Sequence, residues 1–171
     1  IVQRGIPILN ITLHVGAGTF KPVTEQHIEN HTMHTEQIKF RKSCIIELLE
    51  NIDKQIVAIG TTTTRSLESL YWIGVKINML RNQQQKITNK DLHLSQWEIY
   101  ETLHVHSITK KEALENIVQY LNEEQSDTLC TSTAIMITPY YQPKIVSGLI
   151  TNFHQPKSTL LLLVSAFIGQ E

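Results

Sequence analysis

Two histidines and a glutamate stand close together in the segment His31-Thr32-Met33-His34-Thr35-Glu36. Because histidine changes charge near neutral pH, His31, His34 and Glu36 could exchange protons with a substrate. His27, His31 and His34 are four and three residues apart, so on a helix they would share a face and could hold a metal ion. Nothing in the spacing fixes that conformation or places a further ligand. We therefore favour an acid/base group or a structural hydrogen-bond cluster, and predict no metal here.

A glycine-rich turn, Gly16-Ala17-Gly18-Thr19, follows residues that alternate between apolar and polar from Leu9 to Val15. That alternation is typical of a half-buried strand. The backbone amides of the turn and the Thr19 hydroxyl could hold a carboxylate or a ribose, since glycine lets a ligand approach the backbone closely. An ordinary tight turn explains the same residues equally well.

A second candidate ligand site begins at Gly60, where an apolar strand ends and Thr61-Thr62-Thr63-Thr64-Arg65 leads into a helix. Free amides at the start of a helix attract anions, and Arg65 could pair with a carboxylate or a phosphate. The alternative is structural: a threonine caps the helix, and Arg65 forms an ion pair with Glu68, three residues later. The sequence leaves both interpretations open.

The segment Thr151-Asn152-Phe153-His154-Gln155-Pro156-Lys157-Ser158 has a similar arrangement, a strand end followed by a helix start. Asn152, His154 and Lys157 could point into a shared cleft at the carboxyl ends of the strands. On the structural interpretation they are turn residues, and Ser158 caps the last helix.

Strands and helices alternate along the chain, which predicts an α/β fold with a mixed, mainly parallel sheet flanked by helices. The predicted strands cover residues 9–15, 36–40, 56–59, 129–137 and 144–151. Helices are predicted over residues 23–30 and 43–52, after Gly60, after a capping box at Thr109 and Glu112, and from Ser158. Residues 78–107 are polar and rich in Gln and Asn, which indicates a peripheral excursion.

The composition is that of an ordinary globular domain. Of the 171 residues, 41% are hydrophobic and 18% charged, and the net charge is −1, which argues against disorder and against a general affinity for nucleic acid. Cys44 and Cys130 stand in apolar patterns and are predicted to be buried free thiols in a reducing compartment. With no signal peptide and no apolar run long enough to span a bilayer, we expect a cytoplasmic protein without a membrane partner.

Four motifs in this order resemble a known family. They are residues 13–20, residues 31–36, Gly60-Thr61-Thr62 with residues 65–69, and residues 150–161. Together they are similar to the S-adenosylmethionine:tRNA ribosyltransferase-isomerases of queuosine biosynthesis, over nearly all of the chain. The resemblance implies that residues 1–171 are a partial α/β catalytic domain of a larger two-domain enzyme. The family's inserted β-barrel domain and both of its termini would be absent. We favour a monomeric enzyme and expect this piece of it to be inactive alone.

The resemblance implies an unusual transfer reaction. The ribosyl part of S-adenosylmethionine moves to the aminomethyl group of 7-aminomethyl-7-deazaguanine at the tRNA wobble position and isomerises. The products are epoxyqueuosine-tRNA, adenine and methionine. S-adenosylmethionine would be a consumed substrate, with no separate cofactor. Such chemistry needs a base beside the sulfonium, an acid near the departing adenine, and exclusion of water.

The resemblance also implies roles for individual residues. His31, His34 and Glu36 would form the catalytic acid/base pool. Asn152, His154 and Lys157 would contact ribose or the tRNA anticodon region. The substrate-binding set would be completed by His14, Gly16, Gly18, Thr19, Phe20, Thr61 and Arg65.

One turn departs from the family pattern: Tyr140 precedes Tyr141 where the family usually has the glycine of a Pro-Gly-Tyr turn. Two competing hypotheses remain open at this point. The chain could be a noncatalytic nucleotide- or RNA-binding module, or a metal hydrolase that uses His27, His31 and His34.

Overall fold

A computed structural model describes residues 3, 5–14, 28, 31–153, 156 and 158–168. In chain order its elements are β1 (Thr12–His14), β2 (Glu36–Arg41), α1 (Lys42–Glu50), β3 (Val57–Ile59), α2 (Thr61–Asn82), α3 (Glu98–Glu101), α4 (Lys110–Glu123), β4 (Thr128–Thr133), β5 (Gly148–Ile150) and α5 (Thr159–Ile168). Short 3-10 helices cover Asn89–Leu92 and Leu103–His106. The helix predicted over residues 23–30 lies outside the described residues apart from residue 28. Within the described part of the chain, no helix has the length and apolar character needed to cross a membrane.

The strands form two small sheets. β2 is the middle strand of an antiparallel sheet, with β1 and β4 on its two sides, while β3 pairs with β5 in parallel. The fold is therefore mixed α/β, as predicted, but the larger described sheet is antiparallel and the prediction of a mainly parallel sheet is not confirmed. Buried and exposed residues alternate along β2, as they do when an antiparallel sheet leaves one face in water.

Helix α2 lies at the centre of the core. Leu67, Leu70, Tyr71 and Val75 form an apolar stripe that is buried, but the polar residues between them are buried as well, so residues 64–75 have no exposed side. Helix α4 covers part of this surface. It approaches so closely at Gly74 that a Cβ there would lie 2.1 Å from the carbonyl oxygen of Ala113.

Helix α4 begins at the predicted capping box. The Thr109 hydroxyl accepts a hydrogen bond from the Glu112 amide at 3.1 Å, and the Glu112 carboxylate accepts one from the Thr109 amide at 2.8 Å. The hydrogen bonds from Thr109 lower the pKa of Glu112. Leu114, Ile117 and Leu121 lie on its buried face.

The polar segment 78–107 is not peripheral, which corrects the prediction from composition. Leu92, Leu94, Ile99 and Leu103 are almost completely buried in the core. Leu94 also forms a parallel bridge with Thr133 at the end of β4. Polar residues are concentrated in the exposed stretch 82–90. They make the average composition of residues 78–107 polar, although four apolar residues of the segment belong to the core.

A buried carboxylate fastens the loop between β4 and β5 to α2. Glu68 accepts hydrogen bonds from the Tyr141 hydroxyl at 2.6 Å and from the amides of Lys144, Ile145 and Val146 at 2.7, 3.0 and 2.8 Å. Burial raises the pKa of Glu68, and these four donors act in the opposite direction. Tyr141 is therefore held inside the protein as a structural group.

The two cysteines differ in exposure. Cys44 is partly buried, but Cys130 is exposed, so the prediction of a buried thiol is wrong there. Leu129 and Thr131, its neighbours in β4, face the core, and the alternation of a strand turns Cys130 to the solvent side.

Candidate active site

Glu36 places a carboxylate on the buried face of β2. Glu36, Ile38 and Phe40 alternate with exposed neighbours, and Glu36 is only 1% exposed. A carboxylate in apolar surroundings costs free energy unless a positive charge or hydrogen-bond donors compensate it. Its partners come from the segment before β2 and from α2.

Arg65, in the second turn of α2, supplies the positive charge. Its Nη2 atom lies 2.5 Å from Oε2 of Glu36, and the two side chains are 5% and 1% exposed. Burial lowers the pKa of Arg65, while the negative charge of the adjacent Glu36 carboxylate raises it. The two groups form a buried ion pair, so the loss of either partner would leave the other charge uncompensated. The alternative of a local ion pair between Arg65 and Glu68 is wrong.

His34 completes a group of three side chains, which we call the His34–Glu36–Arg65 cluster. Its Nε2 atom lies 2.9 Å from Oε1 of Glu36 and 3.1 Å from Nη2 of Arg65. One nitrogen therefore faces both an acceptor and a donor. A protonated Nε2 donates to Glu36, and a deprotonated Nε2 accepts from Arg65. The ring can gain or lose this proton and still be held in place by a hydrogen bond.

Two buried atoms of the cluster lack a directed hydrogen bond from the described residues. They are Oε2 of Glu36, whose contact with Arg65 is an ion pair without hydrogen-bond alignment, and Nε of Arg65. Ser66, the next residue, has a buried hydroxyl of the same kind. Buried polar atoms in this condition are uncommon in folded proteins, and catalytic sites are one of the places where they occur.

The cluster lines a small cleft that is partly open to solvent. Thr61 and Thr62 are the polar residues from the start of α2 that line the same cleft. Apart from Thr159, the remaining lining residues are apolar; they are Met33, Ile135, Met136, Ile137, Thr159, Leu160 and Leu163. Low polarity around the cluster strengthens the electrostatic interactions of a ligand bound there.

The first turn of α2 adds backbone donors beside the cluster. Gly60 precedes the helix with φ +95°, a conformation that glycine adopts readily, and the helix has no side-chain cap. The predicted threonine cap is wrong, since the Thr64 hydroxyl donates to the Gly60 carbonyl at 3.1 Å instead. The 22-residue helix thus begins with uncapped amides at Thr61 and Thr62, where the positive end of its dipole lies.

Comparison with known proteins assigns the chain to a family. The model of the family described as Queuosine biosynthesis protein matches residues 1–171. The chain belongs to this family. A curated relative in Prochlorococcus marinus (strain AS9601), named S-adenosylmethionine:tRNA ribosyltransferase-isomerase, is 35% identical over 171 residues, which are 99% of this chain and 33% of the relative.

Relatives with the same name occur in other bacteria. Those of Halothermothrix orenii and Buchnera aphidicola are 33% and 32% identical, over 100% and 98% of this chain and 36% and 34% of their own lengths. The chain therefore spans about a third of the length of the curated relatives that it matches. No solved structure matches it.

Within this member of the queuosine biosynthesis family, the structure brings two predicted segments together. His34 and Glu36 come from the segment 31–36, and Arg65 and Thr61 come from the segment after Gly60. His31 is placed differently, since its carbonyl oxygen accepts a hydrogen bond from Gln96. Its ring makes no hydrogen bond or ion pair with the residues that the structure describes.

The other predicted site residues lie elsewhere or outside the described residues. His14 has its backbone in β1, opposite Gln37 of β2, and Asn152 is exposed after β5. Ser158 accepts a hydrogen bond from the Leu160 amide at 3.1 Å, as expected for the cap of α5. The predicted residues outside the described part are Gly16, Gly18, Thr19, Phe20, His27, His154 and Lys157. Within the described ranges, no group of three His, Cys, Asp or Glu side chains is placed to hold a metal.

Reasoning from the sequence missed Gln96 and the apolar wall of the cleft. Gln96 belongs to residues 78–107, which the composition predicts to be peripheral. No sequence pattern indicates that it contacts residues 31–33. A signal for the wall was present: Ala134, Ile135, Met136 and Ile137 are four consecutive apolar residues directly after β4. Such a run is typical of a chain segment that is buried on more than one side.

Proposed function

We propose that the polypeptide containing this chain transfers the ribosyl moiety of S-adenosylmethionine to 7-aminomethyl-7-deazaguanine at the tRNA wobble position and isomerises it. The products are epoxyqueuosine-tRNA, adenine and methionine. The names of the curated relatives support this reaction. One observation carries the assignment to this chain: the side chains of His34, Glu36 and Arg65 contact one another and line one cleft.

In this proposal His34 is the proton carrier. Its Nδ1 atom, the ring nitrogen that does not face Glu36 and Arg65, removes the acidified proton beside the sulfonium, while the protonated Nε2 donates to Glu36 2.9 Å away. Glu36 stabilises the charged ring, and Arg65 balances the charge of Glu36 inside the protein. His34 is also the most exposed of the three side chains, at 22%, so it is the member that a substrate can reach.

The uncapped start of α2 is proposed to hold the carboxylate of the methionine part. Helix N-termini attract anions, and the buried Nε of Arg65 provides a further donor close by. The apolar wall formed by Met33, Met136 and Leu160 suits the adenine ring and keeps water from reactive intermediates. S-adenosylmethionine is thus a consumed substrate, and no separate cofactor is invoked.

The tRNA and the setting of the reaction are part of the same proposal. Asn152, His154 and Lys157 are proposed to face ribose or the tRNA anticodon region, beyond the end of β5. The chain would be part of the catalytic α/β domain of a larger, monomeric, cytoplasmic two-domain enzyme. The exposed position of Asn152 is compatible with contact to a large partner.

The test uses a complete polypeptide that carries this chain, S-adenosylmethionine, and tRNA bearing the deazaguanine, with adenine and methionine measured by mass spectrometry. We expect His34→Ala to slow adenine release by about 10²- to 10⁴-fold, the usual contribution of general acid–base catalysis. His106→Ala, which changes an exposed histidine in a 3-10 helix, should leave the rate unchanged.

Four outcomes would contradict parts of this proposal. Equal rates for the two histidine variants would remove His34 from the mechanism. No adenine from the unmodified polypeptide would overturn the reaction itself, and tRNA binding without adenine release would favour a noncatalytic RNA-binding module. Rapid turnover by the 171 residues alone would show that the essential parts have been misplaced.

A further inference from the structure

The side chain of Gln96 forms two hydrogen bonds with the backbone of residues 31–33, which precede the His34–Glu36–Arg65 cluster. Its Oε1 accepts a hydrogen bond from the Met33 amide at 2.8 Å, and its Nε2 donates to the carbonyl oxygen of His31 at 2.7 Å. A residue in a neighbouring parallel strand makes this same pair of hydrogen bonds, one to each residue flanking its partner. The carboxamide of Gln96 thus replaces a strand residue opposite Thr32.

Gln96 is itself fixed on both sides. Two residues earlier, the Leu94 amide donates to the Ser132 carbonyl at 3.1 Å, and the Leu94 carbonyl accepts from the Ala134 amide at 2.9 Å. The carbonyl of Gln96 accepts from the Met136 amide at 3.1 Å. The side chain therefore extends from a backbone that is anchored to β4 and the residues after it.

The held segment needs such a support. Residues 31–35 belong to no strand or helix, and β2 begins only at Glu36. Met33 and His34 both line the cleft. Gln96 binds the amide of Met33 itself and the carbonyl of His31, so both lining residues lie within three residues of the bound backbone. A shift of that backbone would carry His34 Nε2 away from Glu36 and Arg65.

We propose that Gln96 is a positioning residue for the reaction: its carboxamide fixes the backbone of residues 31–33 and so places the His34 ring against Glu36 and Arg65. The inference rests on the proposed function of the cluster. A carboxamide is required because one end must accept a hydrogen bond while the other donates one. Glutamate has nearly the same shape but cannot donate to the His31 carbonyl, and leucine can do neither.

The kinetic test compares Gln96→Glu and Gln96→Leu with Gln119→Leu, an exposed glutamine of α4, in the complete polypeptide. Because misplacing a catalytic group by about 1 Å can cost ~10²-fold in rate, we expect both Gln96 variants to lower kcat by about that factor. The KM for S-adenosylmethionine should rise less than kcat falls, because Met33 of the apolar wall shifts with this backbone while Thr61 and Arg65 stay in place. A kcat equal to that of the Gln119 variant, or a loss confined to KM, would overturn the proposal.

A second measurement separates this inference from the proposed reaction. In the 171-residue chain, NMR should show faster exchange of the Met33 amide and altered His34 ring nitrogen shifts in Gln96→Leu, but neither change in Gln119→Leu. Unchanged His34 signals would mean that Gln96 does not position the ring. If the unmodified complete polypeptide releases no adenine, the proposed function fails, while the NMR result still decides the role of Gln96.

Discussion

Two buried glutamates face the core of this protein, and their hydrogen bonds assign them different tasks. Both oxygens of Glu68 are fully used by four donors, so this carboxylate is a structural clamp. Glu36 contacts His34 and Arg65 but keeps an oxygen without a directed hydrogen bond from the described residues. A carboxylate that faces an ionisable histidine can respond to a moving proton, whereas one whose donors are a phenol and three backbone amides cannot.

The clamp predicts a loss of stability when Glu68 is replaced by its closest isostere. Glu68→Gln would turn an NH₂ group towards two donors, leaving them unsatisfied in the interior. We expect the free energy of unfolding, measured with urea, to fall by about 3 kcal/mol. Glu47→Gln, on an exposed position of α1, should match the unmodified chain. Equal stability of the two variants would mean that the β4–β5 loop does not depend on Glu68.

The partners of these residues could be predicted only in part. His34 and Glu36 are two residues apart, so extended backbone puts both side chains on the same side, and their proximity follows from spacing. The partner of Arg65 was uncertain because a local glutamate, Glu68, competes with a distant one. Arg65 pairs with Glu36 because of the way α2 lies against β2. The spacing of residues along the chain does not predict that packing.

At the scale of elements, the position of α2 determines the composition of the cleft, because the first turn of this helix and Arg65 both line it. Its apolar stripe predicted a helix with one buried face, but the buried polar residues 64–69 show burial all around. Hydrophobic periodicity also identified most strands without giving the direction of their neighbours, which is why a mainly parallel sheet was expected. Direction depends on chain connections that a periodic pattern does not encode.

The close contact between α2 and α4 predicts an unusual effect of an alanine. In an ordinary helix, Gly→Ala is stabilising by about 1 kcal/mol. At Gly74 the added Cβ would lie 2.1 Å from the Ala113 carbonyl oxygen, so the backbones of the two helices must separate. We expect Gly74→Ala to lower the free energy of unfolding by about 3 kcal/mol, because overpacking of a core is destabilising.

Gly148→Ala is the matched control for this prediction. The nearest atom to a Cβ at Gly148 is Cγ2 of Val57, at 3.6 Å, which is an ordinary van der Waals contact. This variant should therefore unfold at nearly the same denaturant concentration as the unmodified chain. If Gly74→Ala is as stable as Gly148→Ala, then α4 does not lie close enough to α2 for a Cβ at residue 74 to clash with the Ala113 carbonyl.

At the scale of the whole molecule, one sheet face stands out because it is apolar and exposed. On the β3–β5 sheet, Val57, Ile59 and Ile150 are 52%, 68% and 59% exposed, and Ile59 and Ile150 are paired neighbours. Parallel sheets are normally covered on both faces. The chain accounts for only about a third of the length of its curated relatives.

This face predicts how the isolated 171 residues behave in solution. Exposed apolar surface binds hydrophobic dyes and promotes association. We expect the chain to bind such a dye and to self-associate as its concentration rises in analytical ultracentrifugation. The double variant Ile59→Thr, Ile150→Thr should bind less dye and associate less.

The control is the stability of this double variant. Threonine keeps the β-branched shape that suits a strand, and the two isoleucines that it replaces are both exposed. Unfolding free energy should therefore change by no more than about 0.5 kcal/mol. By contrast, Ile45→Thr, at a fully buried position, should lower it by several times that amount. A large stability loss in the double variant would mean that this sheet face is already covered in the folded chain.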